Sequence, residues 1–292
     1  MHRSGFVNII GNPNTGKSTL MNALVGERLS IITSKAQTTR HRIMGVVSGA
    51  DFQIVYSDTP GILKPNYRLQ ESMMRFVGGA MRDADVILYV TDVVEQSGRS
   101  REFVEKINLS GIPTIVVINK IDLTNEERLG ELVSLWRERM PSAEVAPTSA
   151  TERFNIGGLF DLILARLPEG EAYYPKDTLT DKNMRFFASE IIREKILLNY
   201  DKEIPYSVEI AVEEYSEEPT IDRITATIYV ARESQKGIVI GHKGAMLKRV
   251  GTAARIELEQ FLGKKVFLQL HVKVNDNWRD NIRQLKRFGY EE

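Results

Sequence analysis

Apolar runs of strand length recur through the first part of the chain, at 6–10, 43–47, 52–56, 86–90 and 114–118, with helix-like stretches between them. Several runs are β-branched and apolar throughout, as strands buried on both faces are. Residues 1–168 therefore predict a mostly parallel sheet covered by helices. Only Ser48-Gly49-Ala50-Asp51 separates the second run from the third, which predicts a hairpin and one antiparallel edge. The pattern then stops. The stretch LPEGEAYYPKDTLTDK holds two prolines and a glycine without any period, so 169–181 is expected to be a linker.

Periodicity resumes at 182 and runs to 292, in a different order. A helix through NMRFFASEIIREKILLNY, with Asp181 as its expected cap, aligns Met184, Phe187, Ile191 and Leu198 on one face. Two strands follow, one through Val208, Ile210 and Val212 and one through Ile224, Ala226, Ile228 and Val230. GIVIGHKGAM then leads into a helix with Leu247, Val250, Ala254, Leu258 and Phe261 on one side. A last strand alternates Val266, Leu268, Leu270, Val272 and Val274. The expected whole is an α/β domain, a linker and a smaller α+β domain.

Composition changes this picture little. A chain of 292 residues with 42% hydrophobic content suits two domains. Lysine plus arginine equals aspartate plus glutamate at 39 each, so any nucleic-acid site must be a local patch. The absence of cysteine excludes disulfides and thiolate metal sites and fits a reducing compartment. MHRSGFVNII lacks the apolar stretch of a signal peptide, and no segment approaches the ~20 apolar residues of a membrane span. A soluble cytoplasmic protein is expected.

Residues 11–18 fit GxxxxGK[ST], after a predicted strand and before a predicted helix. Such a loop turns backbone amides toward phosphates at a helix N-terminus. Gly11, Asn12, Asn14, Thr15, Gly16, Lys17, Ser18 and Thr19 are thus candidate nucleotide contacts, with Lys17 on the β- and γ-phosphates and Ser18 on Mg²⁺. Asp58-Thr59-Pro60-Gly61 ends the third run, where Asp58 suits the metal shell and the Gly61 amide the γ-phosphate. Asn119-Lys120-Ile121-Asp122 ends the fifth. Asp122 can accept from both N1–H and N2–H₂ of guanine, a pair adenine lacks, which selects GTP over ATP. Ile62 occupies the position after Gly61 where a water-orienting glutamine often stands, so intrinsic hydrolysis is expected to be slow.

GHKG at 241–244 cannot wrap a triphosphate in that way, because only two residues separate its glycines. It fits the GxxG loop that clamps about four nucleotides of single-stranded RNA. Taken alone, a tight corner between two helices explains it equally well. The surrounding order α-β-β-α-α-β, and Arg232, Lys236, Lys243, Lys248 and Arg249 against the single acid Glu233, favour RNA. Ile240, Gly241, His242, Lys243, Gly244 and Lys248 are the candidate RNA contacts, and Ile238, Val239 and Ile240 suit either the groove floor or the core.

Together these motifs resemble the translation-factor-like P-loop GTPases, here joined to a C-terminal type II KH domain. KAQTTRHRI, EIIREKI, EIPYSV and GHKG look like the bacterial ribosome-assembly branch of that family. The resemblance implies catalytic roles for Lys17, Thr39 and Gly61, and a metal set of Ser18, Thr39 and Asp58, with Thr38 as the alternative to Thr39. It implies that Ser149 and Ala150 meet the guanine from its other side. It implies GTP or GDP with Mg²⁺ as ligands. Asn14 either binds K⁺, as asparagine does at this point in related GTPases, or only caps the turn. The implied partner is the 3′ end of 16S rRNA in the small ribosomal subunit. A monomer with no DNA partner is expected, with peripheral inner-membrane association in some family members. GTPases that modify tRNA or remodel membranes carry other appended domains. A relic nucleotide site would not keep Lys17, Asp58 and Asp122 together.

Overall fold

A computed structural model describes residues 2–94 and 101–290. The chain divides into two compact units, Met1–Lys64 with Met73–Asp181 and Pro65–Ser72 with Lys182–Glu292.

The first unit is built on six strands among the described residues: β1 (Arg3–Gly11), β2 (Ile43–Ser48), β3 (Phe52–Asp58), β4 (Val86–Asp92), β5 (Thr114–Asn119) and β6 (Glu144–Pro147), in the order β2-β3-β1-β4-β5-β6. All pairings are parallel except β2 with β3, the expected hairpin. Val7, Ile9, Val86, Leu88, Val116 and Val117 are fully buried, which is why the central strands read as unbroken apolar runs. Helices α1 (Lys17–Val25), α2 (Arg68–Arg82, counted with this unit from Met73 on), α3 (Arg101–Ser110), α4 (Glu126–Arg139) and α5 (Ile156–Arg166) connect the strands. The four-residue β6 was not predicted: EVAP is too short to show alternation and ends in a proline that a sheet accepts only at its edge.

The stretch 169–181 is not a loose linker. It straps the β2–β3 edge of the first unit. Val46 N donates to Leu179 O at 2.8 Å, Thr180 Oγ1 to Met44 O at 2.6 Å, and Gln53 exchanges two side-chain hydrogen bonds with the Tyr174 main chain. Covering an exposed strand edge in this way blocks pairing with other chains. It also corrects the expectation for Asp181. Its Oδ1 accepts from Met44 N at 3.1 Å, and the helix after it is capped by Asn183, which accepts from Phe186 N.

The second unit contains α6 (Met184–Asn199), a short α7 (Ile204–Ser207), β7 (Val208–Glu217), β8 (Ile221–Val230), α8 (Glu233–Ile240), α9 (Ala245–Leu262), β9 (Lys265–Val274) and α10 (Ile282–Arg287). β7 and β8 are antiparallel, β8 and β9 parallel, in the order β7-β8-β9. The core combines Ile192 and Ile196 of α6, Val250 and Ala254 of α9, and Ala226 and Ile228 of β8. Phe187 and Ile191 are buried as expected, but Met184 and Leu198 are exposed. Both lie in the terminal turns of α6. Trp278, Leu285 and Tyr290 are also buried, with Trp278 Nε1 donating to Ser207 O and Tyr290 Oη to Glu209 Oε2.

Candidate nucleotide and RNA sites

The residues at the C-terminal ends of β1, β3 and β5 meet in the first unit, as open parallel sheets favour. Gly11 ends β1, and α1 opens at Lys17 after Gly16, whose φ of 89° is left-handed. A Cβ on Gly16 would stand 2.2 Å from Asn119 Nδ2, so no other residue fits there. That amide nitrogen donates to Thr15 O at 2.9 Å, and Asn119 Oδ1 accepts from Ala150 N at 3.0 Å. One buried side chain therefore ties the phosphate loop to the 148–150 loop. Lys17 is buried and donates to Asn12 O at 2.7 Å. Thr15 Oγ1 also reaches Asn12 O, at 3.0 Å.

Ser18, Thr39 and Asp58 converge. Ser18 Oγ donates to Asp58 Oδ2 at 2.6 Å, Thr39 Oγ1 donates to the same oxygen at 3.2 Å, and the two hydroxyls are 2.8 Å apart. Asp58 is fully buried, and its Oδ1 has no protein hydrogen-bond partner. Burial pushes this carboxyl above its ordinary value, against the pull of the Ser18 hydroxyl and the Lys17 ammonium. Two hydroxyls and a buried carboxylate with an orphaned oxygen fit a hard divalent cation such as Mg²⁺, which takes oxygen ligands and keeps several waters. Thr38 is engaged elsewhere, with its hydroxyl on Thr33 Oγ1 and Lys35 O, both at 2.6 Å.

Pro13, Asn14, Thr19, Thr33, Gly61 and Lys120 help line a cleft of about 460 Å³ beside these groups. Ile62 N donates to Gly11 O at 3.0 Å, which brings Gly61 against Pro13. The Ile62 side chain packs into the cluster of Ile10, Val77 and Ile118 and plays no polar part. At the base end, Ser149 Oγ donates to Asp122 Oδ1 at 2.5 Å, with Asp122 exposed. Ser149 and Ala150 are both buried beside it.

Two features here escaped sequence reasoning. Asp92, at the end of β4, accepts from Lys120 Nζ at 2.6 Å. Asn14, Gln37 and Lys120 hold left-handed φ values of 66°, 58° and 61°. Strain of this kind gathers at functional loops, but the residue types do not announce it.

In the second unit, Ile240 is half-buried at the end of α8, and Val239 is fully buried. Tyr200 Oη donates to Val239 O at 2.6 Å, and burial pushes the Tyr200 phenol up to about 12. Val239 thus belongs to the core, while Ile238 is exposed. Gly241 turns the chain with φ 70°, and a Cβ there would strike Met246 at 2.8 Å. His242, Lys243 and Lys248 are exposed; Lys243 holds φ 49° and Gly244 φ 79°. α9 then begins at Ala245, so its first amides face this loop. β9, like β7, is an edge strand, and its far edge lacks a strand partner among the described residues. That open row of N–H and C=O groups is a feature the alternating pattern alone could not place.

A family model described as 50S ribosome-binding GTPase matches residues 6–120, and a KH domain model matches 203–279. The chain is similar to GTPase Era of Alkaliphilus metalliredigens, 44% identical over 293 residues, covering 99% of each protein. It is 43% identical to GTPase Era of Staphylococcus haemolyticus, covering 100% of this chain and 98% of that protein. Among solved structures it is similar to Era in complex with MgGDPNP and nucleotides 1506–1542 of 16S ribosomal RNA, with TM-score 0.95, 39% identity and 100% of both chains covered. It is equally similar to a tyrosine-to-alanine variant of Aquifex aeolicus Era bound to GDP·AlF₄⁻, with TM-score 0.95 and 39% identity over 99% of this chain and 100% of that one.

Proposed function

This chain belongs to the Era family of GTPases, and on that premise we propose that it is a GTP-hydrolysing switch that grips 16S rRNA near its 3′ end and acts in small-subunit assembly. The observation that carries the reading is the convergence of Ser18 at the start of α1, Thr39 in the loop before β2 and Asp58 at the end of β3, beside the phosphate loop. In this reading Lys17 holds the β- and γ-phosphates, and the Gly61 amide meets the γ-phosphate. Asn119, Asp122, Ser149 and Ala150 hold the guanine. Ser18, Thr39 and Asp58 hold Mg²⁺, which supplies charge neutralisation on the phosphates. Ile62 is packed away from the cleft and cannot orient water as a glutamine at that position would, so intrinsic hydrolysis is slow.

The second unit binds RNA through Ile240, Gly241, His242, Lys243, Gly244 and Lys248, which sit where a strand's phosphates would pass α9. The solved Era bound to nucleotides 1506–1542 of 16S ribosomal RNA supports this choice of RNA. The protein acts as a cytoplasmic monomer. Among the described residues no helix is long and apolar enough to cross a membrane, and peripheral inner-membrane contact rests on family resemblance alone. A K⁺ ion beside Asn14 completes the proposed ligand set.

Crosslinking the protein to RNA in cell extract and sequencing the bound fragment tests the reading. Recovery of the 16S 3′ end supports it, and Lys17→Ala should abolish nucleotide binding in the same preparation. Enrichment of unrelated RNA, or nucleotide binding that survives Lys17→Ala, overturns it.

A further inference from the structure

We infer that Asp92 is a positioning residue for guanine-nucleotide binding, acting through Lys120. The inference rests on the reading that the phosphate loop and the 119–122 turn hold one nucleotide between them. Asp92 is the last residue of β4 and lies in register with Asn119 on β5. Its buried carboxylate is used at both oxygens. Oδ2 accepts from Lys120 Nζ at 2.6 Å, and Oδ1 accepts from Val94 N at 3.0 Å. The same Lys120 ammonium donates to Asn14 O at 2.6 Å. One cation therefore ties the end of β4 to the phosphate loop, across 106 residues of sequence on its Asn14 side.

The arrangement needs an anion. Lys120 stands at φ 61°, a conformation that costs an L-residue on the order of 1–2 kcal/mol. Its side chain has four rotatable bonds and is 31% exposed, so a main-chain carbonyl alone would hold it weakly against water. Asp92 is only 6% exposed, and an ion pair with one buried partner is screened far less than a surface pair. A fixed Lys120 keeps the Asn14 peptide and the base-reading turn at one separation. A nucleotide that must touch both then binds a site already assembled, with less ordering to be done on binding. Asp122 still reads the guanine, so Asp92 should set how tightly any purine nucleotide is held, not which one.

Dissociation of a fluorescent GDP from the full chain measures this. Asp92→Asn keeps the shape and the Val94 bond but removes the charge. It should raise the dissociation rate about tenfold, the loss of one charge-assisted hydrogen bond, and leave the ratio of GDP to IDP affinity unchanged. Asp92→Glu, which keeps the charge, should recover most of the difference. In a Lys120→Ala background, Asp92→Asn should add nothing. Additive effects, or equal losses from Asp92→Asn and Asp92→Glu, would mean that Asp92 only supports the strand, and would overturn the inference. If Asp92→Asn does not fold, Asp92→Ser, which also removes the charge, gives the same comparison with and without Lys120→Ala. Failure of the wild-type chain to bind GDP would instead sink the nucleotide-site reading itself.

Discussion

Thr39 Oγ1 stands 2.8 Å from Ser18 Oγ, and both hydroxyls donate to the same oxygen of Asp58. Thr38, one residue away, spends its hydroxyl inside its own loop on Thr33 and Lys35. The two threonines should therefore separate in a GTPase assay. Thr39→Ala should lower the hydrolysis rate by roughly 10–100-fold, the usual cost of disturbing a metal's ligand shell. GDP affinity should hardly move. Thr38→Ala should change the rate much less, and equal effects of the two substitutions would refute the assignment. Chelating Mg²⁺ should remove the difference between Thr39→Ala and wild type.

Asp58 should destabilise the protein in the absence of metal. Its carboxyl lies above the ordinary value of 3.8 chiefly because burial penalises the anion. A raised folded-state value means that the deficit is absent below 3.8 and grows as pH rises through the folded value. Above that, the deficit is constant. With chelator present, Asp58→Asn should thus melt higher than wild type, and the gap should widen as pH rises above about 4 and then level off. With Mg²⁺ present the order should reverse. A gap that does not change with pH would show that desolvation of the carboxylate is not its cause.

Asn14 makes a third test. Its Nδ2 donates to Ser34 O at 3.0 Å and its own carbonyl accepts from Lys120, which leaves Oδ1 to meet a cation at the cleft. Hydrolysis should run several-fold faster in K⁺ than in Na⁺, and Asn14→Ala should erase that difference. Equal rates in the two salts would remove K⁺ from the ligand set.

The parts of the site that demand particular residue types were legible in the sequence. Only glycine fits beside Asn119 at position 16, and only a side chain with Asp122's pair of acceptors reads guanine's two donors. Asp92 was not legible, since an aspartate ending a strand has many bland explanations. The strap at 169–181 was hidden for a different reason. Each of its bonds to Met44, Val46 and Gln53 has a main-chain atom at one end at least, and a main-chain partner imposes no pattern on side chains. The buried end of the chain was equally silent: Trp278, Leu285 and Tyr290 are too far apart to show a period.

The GHKG loop should bind RNA mainly by charge and close approach. Gly244 has φ 79° and open space around a built Cβ, so Gly244→Asp adds an anion without an internal clash, at a conformation aspartate tolerates better than most residues. RNA affinity should fall while GTP affinity stays put. Lys243→Ala should weaken binding to all RNA sequences alike and reduce the salt dependence by about one counterion. Filter binding across a salt series reads both. An unchanged affinity for Gly244→Asp would remove the RNA assignment of this loop.

The second unit should depend on a buried polar contact near the end of the chain. Tyr290 Oη donates to Glu209 Oε2 at 2.6 Å, with the two residues only 2% and 5% exposed. Arg193, fully buried and paired with Glu190, also feels both groups: burial alone would lower its basicity, but Glu190 first, then Tyr290 and Glu209, raise it. Tyr290→Phe keeps the packing and removes one donor from a buried carboxylate. That omission should cost about 1–3 kcal/mol, well above the exposed pair Arg223–Glu218, whose removal should cost under about 1 kcal/mol. Urea unfolding followed by Trp278 fluorescence would report it, because that indole donates to Ser207 O within the same unit. Adding Glu209→Gln to Tyr290→Phe should recover part of the loss, since a neutral amide suffers less from the missing donor. If the double variant is less stable than Tyr290→Phe by the full single-site cost of Glu209→Gln, the two side chains act independently and the contact contributes only packing.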